Sequence, residues 1–290
     1  MTIRPRRSVL YMPGSNARAL EKAKTLKADA FIFDLEDAVA PDAKAAAREQ
    51  VAATVKAGGF DARELVIRVN GLSTPYGKDD MAAAVAASPD AVLVPKVSTP
   101  DDVMQAARAL AGAPEKTRLW IMLETPLAMF NAEAIARTAT DASSRLAAAV
   151  MGTNDIAKDT RARLTKGRPS MLAYLSLCVA ACRAHGVEIL DGVYNDFSDE
   201  AGLRAECEQG RDFGMDGKTL IHPSQIAPCN EIFAPTEAEV AWARKIIAVF
   251  DEPANASKGA LQVEGRMVER LHADMARRTV AVSEAIAALA

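Results

Sequence analysis

Two carboxylates, Glu124 and Asp155, each stand just beyond a short apolar run, Leu119–Leu123 and Leu146–Met151. Runs of that kind read as strands, so both acids project from strand ends into a shared space. Two converging carboxylates with room for water suit Mg²⁺, which takes one or two protein carboxylates and completes its octahedron with water and substrate oxygens. The segment Gly152-Thr153-Asn154-Asp155 adds a tight turn whose backbone N–H groups suit an anionic oxygen, which places Asn154 beside the substrate. A general acid and base working without metal is the alternative use of the same pair. The scarcity of nitrogen and sulfur ligands around them favours the metal.

Arg68 lies in Val66-Ile67-Arg68-Val69-Asn70, where apolar neighbours imply a buried stem. A guanidinium so placed needs an anion, and its fork matches a carboxylate or phosphate. Substrate binding is the functional reading, and an internal salt bridge to Glu36 or Asp37 is the plain one. Those two acids follow Phe31-Ile32-Phe33-Asp34-Leu35 and are candidates for orienting metal-bound water, for fixing Arg68 or for capping the next helix. Lys96 suits a Schiff base, a pairing with rim carboxylates, or a phosphate contact. Pro13-Gly14-Ser15-Asn16, with Arg18 and Lys22 beyond it, has the makings of a phosphate-receiving loop at a basic helix start.

What must position these residues is a set of eight apolar runs, near 8–12, 30–36, 64–70, 91–97, 118–124, 146–152, 187–191 and 217–222, separated by helical stretches. The runs are continuously apolar rather than alternating, as strands buried on both faces are. Strands alternating with helices imply right-handed crossovers and a parallel sheet, and eight units over this length predict a closed (β/α)₈ TIM barrel. The carboxyl ends of its strands share one rim, where Met12-Pro13-Gly14, Glu36-Asp37, Arg68, Lys96, Glu124, Asp155, Asp191 and His222 fall. Helices are expected over 17–26, 43–57 and 101–111, the last opened by Thr99-Pro100-Asp101-Asp102 as a cap with an acidic first turn. The barrel takes residues 1–235. A C-terminal helical extension takes 236–290, with helices to about 250 and over 267–289 around a hairpin-like turn at 259–265, and it is too small for an independent core, so it packs on its own barrel or a neighbour's.

Of 290 residues, 50% are hydrophobic and 25% charged, and the formal net charge of −3 argues against nucleic acid as a partner. No apolar stretch approaches the roughly 20 residues needed to span a bilayer, so no membrane partner is expected and a cytoplasmic address is the default. Cys178, Cys182, Cys207 and Cys229 form no Cys-x-x-Cys pair and read as buried thiols. With three histidines (His185, His222 and His272), a His-rich zinc site is not expected.

The ordered set Arg7–Ser15, Phe33–Val39 with Lys44 and Arg48, Ile67–Asn70, Glu124-Thr125-Pro126, Gly152–Asp155 and Leu220–Ile226 resembles the citrate lyase β-subunit and malyl-CoA lyase family, an HpcH/HpaI aldolase-like group. The resemblance covers the whole chain. It implies a barrel that binds Mg²⁺, or Mn²⁺ in its place, and takes a small-molecule CoA thioester as substrate, assembled as a homotrimer or homohexamer. Carried over residue by residue, it implies Glu124 and Asp155 as metal ligands, Arg68 as the clamp on a small oxo-acid, and Tyr11, Arg18 and Lys22 as part of the CoA site.

The activity so implied is retro-Claisen cleavage of a malyl-CoA-type thioester to acetyl-CoA and glyoxylate. A base removes the hydroxyl proton, and Arg68 neutralises the enolate that leaves. The alternatives are an (S)-malyl-CoA thioesterase giving malate and CoA, a citrate lyase β-subunit, and a non-catalytic ligand-binding barrel. One position departs from the pattern. Where malyl-CoA-type relatives carry an acid/base Asp in Gly-x-Met-[Ile/Val]-Asp, this chain has Gly265-Arg266-Met267-Val268-Glu269. The extra methylene moves the carboxyl by about 1 Å, a shift worth on the order of 100-fold in rate. Glu269 is therefore a catalytic candidate with a changed role, and activation of water for a thioesterase fits it.

Overall fold

In the computed structural model, which describes residues 3–289, eight parallel strands close on themselves: β1 (Ser8–Pro13), β2 (Ala30–Asp34), β3 (Glu64–Arg68), β4 (Ala91–Val94), β5 (Arg118–Leu123), β6 (Leu146–Met151), β7 (Glu188–Asp191) and β8 (Gly217–Leu220). Each pairs with the next in sequence, and β8 returns to β1 through the register Ser8↔Lys218 and Leu10↔Leu220. The strands end two to three residues earlier than their apolar runs suggest at β2, β3, β4 and β8. The residues just past them leave the ladder to build the rim.

Alternate side chains of each strand point inward. Val9, Ile32, Val66, Leu93, Trp120, Val150 and Leu190 fill the lumen, all fully buried. Below that apolar layer the floor is polar. Arg6 donates to both Glu64 oxygens at 2.6 and 2.8 Å, pairs with Glu188, and lies 4.9 Å from the centre of the Trp120 ring. Buried charge is tolerated here because the guanidinium meets carboxylates on two sides.

Thr99 caps the helix Pro100–Ala109 through a reciprocal box with Asp102, as the sequence predicts. Helices at Ala17–Ala23 and Lys44–Ala57 stand close to their expected places.

The chain divides into two compact units, one of residues 6–231 and one formed by the C-terminal residues from Ile232 onward with the segment ahead of Arg6. In the second unit the helices Glu237–Asp251 and Arg270–Leu289 pack around Ile246, Phe250, Val263, Val268 and Ala276. Between them, β9 (Ala260–Val263) and β10 (Arg266–Glu269) form an antiparallel hairpin. Its two-residue turn places Glu264 at φ 48° and Gly265 at φ 79°, as a turn matched to strand twist requires. The last helix therefore begins at Arg270 rather than at 267, because residues 266–269 are spent on the hairpin. No helix among the described residues is long and apolar enough to cross a membrane.

Candidate active site

Asp34 and Arg68 end neighbouring strands in register, and their side chains face inward at the rim. The Arg68 Nε and Nη2 each donate to one Asp34 oxygen at 2.7 Å, a two-point pair that is almost wholly buried. Its remaining nitrogen, Nη1, donates to Asp37 Oδ2 at 3.2 Å and to Met122 Sδ at 3.6 Å, and lies 2.8 Å from Glu36 Oε2. The Tyr11 ring covers the guanidinium, with Cζ 4.9 Å from the ring centre. The expected pairing with Glu36 and Asp37 is present. Sequence reasoning missed Asp34, which takes the forked edge of Arg68. Asp34 sits two residues after Ile32 and so shares its inward face, but the unbroken apolar run before it does not say which of its two faces is the lumen.

Asp34 also accepts the backbone N–H groups of Glu36 and Ala38 at 2.8 and 3.0 Å, which fixes the turn carrying Glu36 and Asp37. Lys44 holds the same turn from outside by donating to the Leu35 and Glu36 carbonyls, both at 2.9 Å. Burial pushes the Glu36 carboxyl up to about 8 in spite of the neighbouring Arg68, so it is largely neutral at pH 7.

Glu124 follows β5 and is completely buried. Its Oε1 accepts the backbone N–H of Lys96 at 2.7 Å, and its Oε2 is buried with no hydrogen-bond partner. Burial, relieved in part by Lys96, pushes this carboxyl up to about 6. Asp155 lies in the first turn of the helix Thr153–Thr160, where the macrodipole favours negative charge, and its side chain is one-quarter exposed. The Lys96 ammonium joins them, 2.6 Å from Asp155 Oδ1 and 3.4 Å from Glu124 Oε1. Gly152 makes this packing feasible, since a Cβ there would lie 2.3 Å from Glu124 Cβ and 2.6 Å from Oε2.

These residues fit a divalent cation. An orphaned, buried carboxylate oxygen costs free energy until a cation or donor meets it. Among the described residues no group of three or more His, Cys, Asp or Glu is gathered for a metal. A cation held here would have two protein carboxylates and complete its shell from water or substrate, as Mg²⁺ does and structural Zn²⁺ does not.

A cavity of about 300 Å³ joins the two clusters, lined by Tyr11, Asp34, Asp37, Arg68, Met122 and Asp155 among others. Glu36, Asp37, Arg68, Glu124 and Asp155 are thus brought to one rim. Tyr11 faces this pocket beside Arg68, whereas Arg18 and Lys22 lie exposed on the helix Ala17–Ala23. Asn154 is exposed and exchanges side-chain hydrogen bonds with Asn195 at 2.8 and 3.0 Å. Glu269 ends β10 in the C-terminal unit, where its N–H donates to His272 Nδ1 at 2.9 Å.

Two other rim candidates have local duties instead. Asp191 is fully buried and paired with Arg168, through two bonds of 2.7 and 2.8 Å, and with Lys218. His222 caps the short turn Pro223–Gln225 and stacks on Phe197. All four cysteines are buried and free.

Residues 7–223 match the HpcH/HpaI aldolase/citrate lyase family. A (3S)-malyl-CoA thioesterase of Cereibacter sphaeroides is 50% identical over 284 residues, covering 98% of this chain and 96% of that protein. An L-malyl-CoA/beta-methylmalyl-CoA lyase of the same species is 33% identical over 312 residues, at 98% and 96% coverage. Among solved structures, the protein CitE from Mycobacterium tuberculosis in complex with magnesium, acetoacetate and coenzyme A superposes with a TM-score of 0.75 at 26% identity, covering 97% of this chain and 98% of that one. The lyase is the less similar of the two relatives, so the expected retro-Claisen activity is not singled out. With the eight-stranded barrel, the paired rim carboxylates and a match running from Arg7 to Pro223, the chain belongs to the HpcH/HpaI aldolase/citrate lyase family.

Proposed function

We propose that this chain is a Mg²⁺-dependent thioesterase that hydrolyses (3S)-malyl-CoA to malate and CoA. The observation that carries the reading is 50% identity with a thioesterase of that specificity along nearly the whole chain. The site supports it through the orphaned Glu124 oxygen beside Asp155, which suits a cation able to hold the malyl oxygens.

Glu124 and Asp155 are the residues that would hold Mg²⁺. When bound, the metal supplies Lewis-acid polarisation of the substrate oxygen it meets. Arg68 cannot turn freely, because Asp34 fixes two of its nitrogens. It therefore presents one edge, Nη1, to substrate carboxylate or to the charge that develops on the thioester carbonyl. Water adds to that carbonyl carbon and gives up a proton, the C–S bond breaks, and the CoA sulfur departs and takes up a proton. Glu36, neutral at pH 7, holds a proton at its carboxyl for the departing sulfur. Glu269 stands in the sequence where the family carries its acid/base Asp and is the proposed proton acceptor for water; Asp37 keeps Glu36 company on Arg68 Nη1. Arg18 and Lys22, exposed four residues apart on one helix, suit the CoA phosphates, and Asn154 suits a substrate oxygen. Assembly as a homotrimer or homohexamer completes the proposal and is read by light scattering.

The deciding experiment incubates the purified protein with (S)-malyl-CoA and Mg²⁺ and quantifies free thiol, malate, glyoxylate and acetyl-CoA separately. Malate with an equal amount of free thiol, and no glyoxylate, is expected. Glyoxylate and acetyl-CoA without free thiol would replace the thioesterase by the lyase.

A further inference from the structure

Lys96 adopts φ 57°, a left-handed conformation rare for a residue with a side chain. Ser88, Arg145 and Arg161 share that conformation but serve as helix C-caps. Lys96 stands instead directly beyond β4, where no helix ends. The strained backbone has a visible result. It turns the Lys96 N–H onto Glu124 Oε1 at 2.7 Å while the side chain doubles back, setting its ammonium 2.6 Å from Asp155 and 3.4 Å from the same Glu124 oxygen. Strain concentrated at a site of this kind is kept for function. The side chain is 41% exposed, which leaves it room to swing out toward solvent.

The ammonium thus occupies the ground between the two carboxylates that a divalent cation would occupy. Two positive charges do not share so small a volume of low dielectric. We propose that Lys96 is an internal cation that competes with the metal: it holds Glu124 and Asp155 together in the metal-free protein and leaves when Mg²⁺ arrives. The inference rests on the reading of Glu124 and Asp155 as metal ligands. Backbone and side chain have separate tasks. The N–H stays on Glu124 Oε1 and keeps that carboxyl aimed, while departure of the ammonium frees the ground beside Glu124 Oε1 and Asp155 Oδ1. Metal affinity is lowered by the fraction of time the ammonium holds the site, so an ammonium present about nine-tenths of the time weakens Mg²⁺ on the order of tenfold.

The test needs no substrate. Mg²⁺ alone is titrated calorimetrically into the wild-type protein and into Lys96→Gln, which keeps the N–H. In parallel the wild-type protein is briefly acetylated with and without Mg²⁺, and peptide mass spectrometry follows Lys96 against the exposed Lys116. Expected are Mg²⁺ binding on the order of tenfold tighter in Lys96→Gln and severalfold faster acetylation of Lys96 once Mg²⁺ is present, with Lys116 unchanged. Equal affinities, or a Lys96 acetylation rate that Mg²⁺ leaves unchanged or slows, would overturn the competition and leave the metal site standing. Absence of Mg²⁺ binding in both proteins would instead remove the metal site and the competition together. Should Lys96→Gln not fold, the acetylation of the wild-type protein decides alone.

Discussion

Arg68 and Asp34 meet edge to edge through two bonds of 2.7 Å, so the guanidinium that faces the pocket is held from behind by a carboxylate on the neighbouring strand. Removing one member of a buried pair leaves the other charged and unpartnered. Asp34→Ala is expected to lose about 3 kcal/mol of stability, measured by urea unfolding, and to lower kcat/KM further by letting Arg68 rotate. An Asp34→Ala protein as stable and as active as wild type would remove Asp34 from its positioning role.

Gly152 lies so close to Glu124 that a methyl group would displace the carboxylate. Gly152→Ala carries no left-handed penalty, since φ there is −97°, and is expected to lose Mg²⁺ affinity by on the order of 10- to 100-fold, as changes to the groups that orient a liganding carboxylate do. Calorimetric titration with Mg²⁺ reads it directly.

Glu36 gives a pH signature. Burial raises its carboxyl from the usual value of 4.5 to about 8, so the stability it confers is whole below 4.5 and is lost as pH rises through 8. Glu36→Gln has no ionisation to suffer. Relative to wild type it should gain stability progressively between pH 4.5 and 8 and hold roughly 2–4 kcal/mol of advantage above that. Denaturant midpoints for both proteins at pH 5 and pH 9 check the sign. An equal difference at the two values would contradict the burial argument.

Metal affinity should fall with acid. Mg²⁺ takes the ionised form of Glu124, whose carboxyl titrates near 6, so binding is expected to weaken about tenfold per unit as pH drops below that point. A flat profile between pH 5 and 7 would show that Glu124 is not a ligand.

Glu269 is tested by activity alone. Glu269→Gln should lower kcat on the order of 100-fold while leaving Mg²⁺ affinity unchanged, since a general base acts in the transition state. Restoration of part of the rate by Glu269→Asp would tie the loss to proton transfer.

The barrel was legible because parallel strands bury both faces and write themselves as unbroken apolar runs. Leu119–Leu123 and Leu146–Met151 became β5 and β6 within one residue of their runs. The rim followed from topology, since whatever stands after Leu123 and Met151 must converge. Pairwise geometry was not legible. Nothing in Phe31-Ile32-Phe33-Asp34 distinguishes an inward Asp that seizes Arg68 from an outward one that caps a helix, because that depends on the register of β2 against β3. Asp191 illustrates the reverse case. It too ends a strand, yet its side chain falls on the outer face, where Arg168 and Lys218 neutralise it. The left-handed turn at Lys96 was equally hidden, as no glycine or asparagine announces it.

Arg6, pinned between Glu64 and Glu188 beneath the ring of Trp120, closes the barrel floor, and among the described residues the buried layer above it, with Val9, Ile32, Val66 and Leu93, carries no carboxylate or amine. Among the described residues, that layer directs proton traffic for the proposed chemistry toward the open mouth. A bound thioester whose chain lies across that mouth would isolate the site from bulk solvent, and the protons held by Glu36 and its neighbours would then have to balance the reaction internally until product leaves.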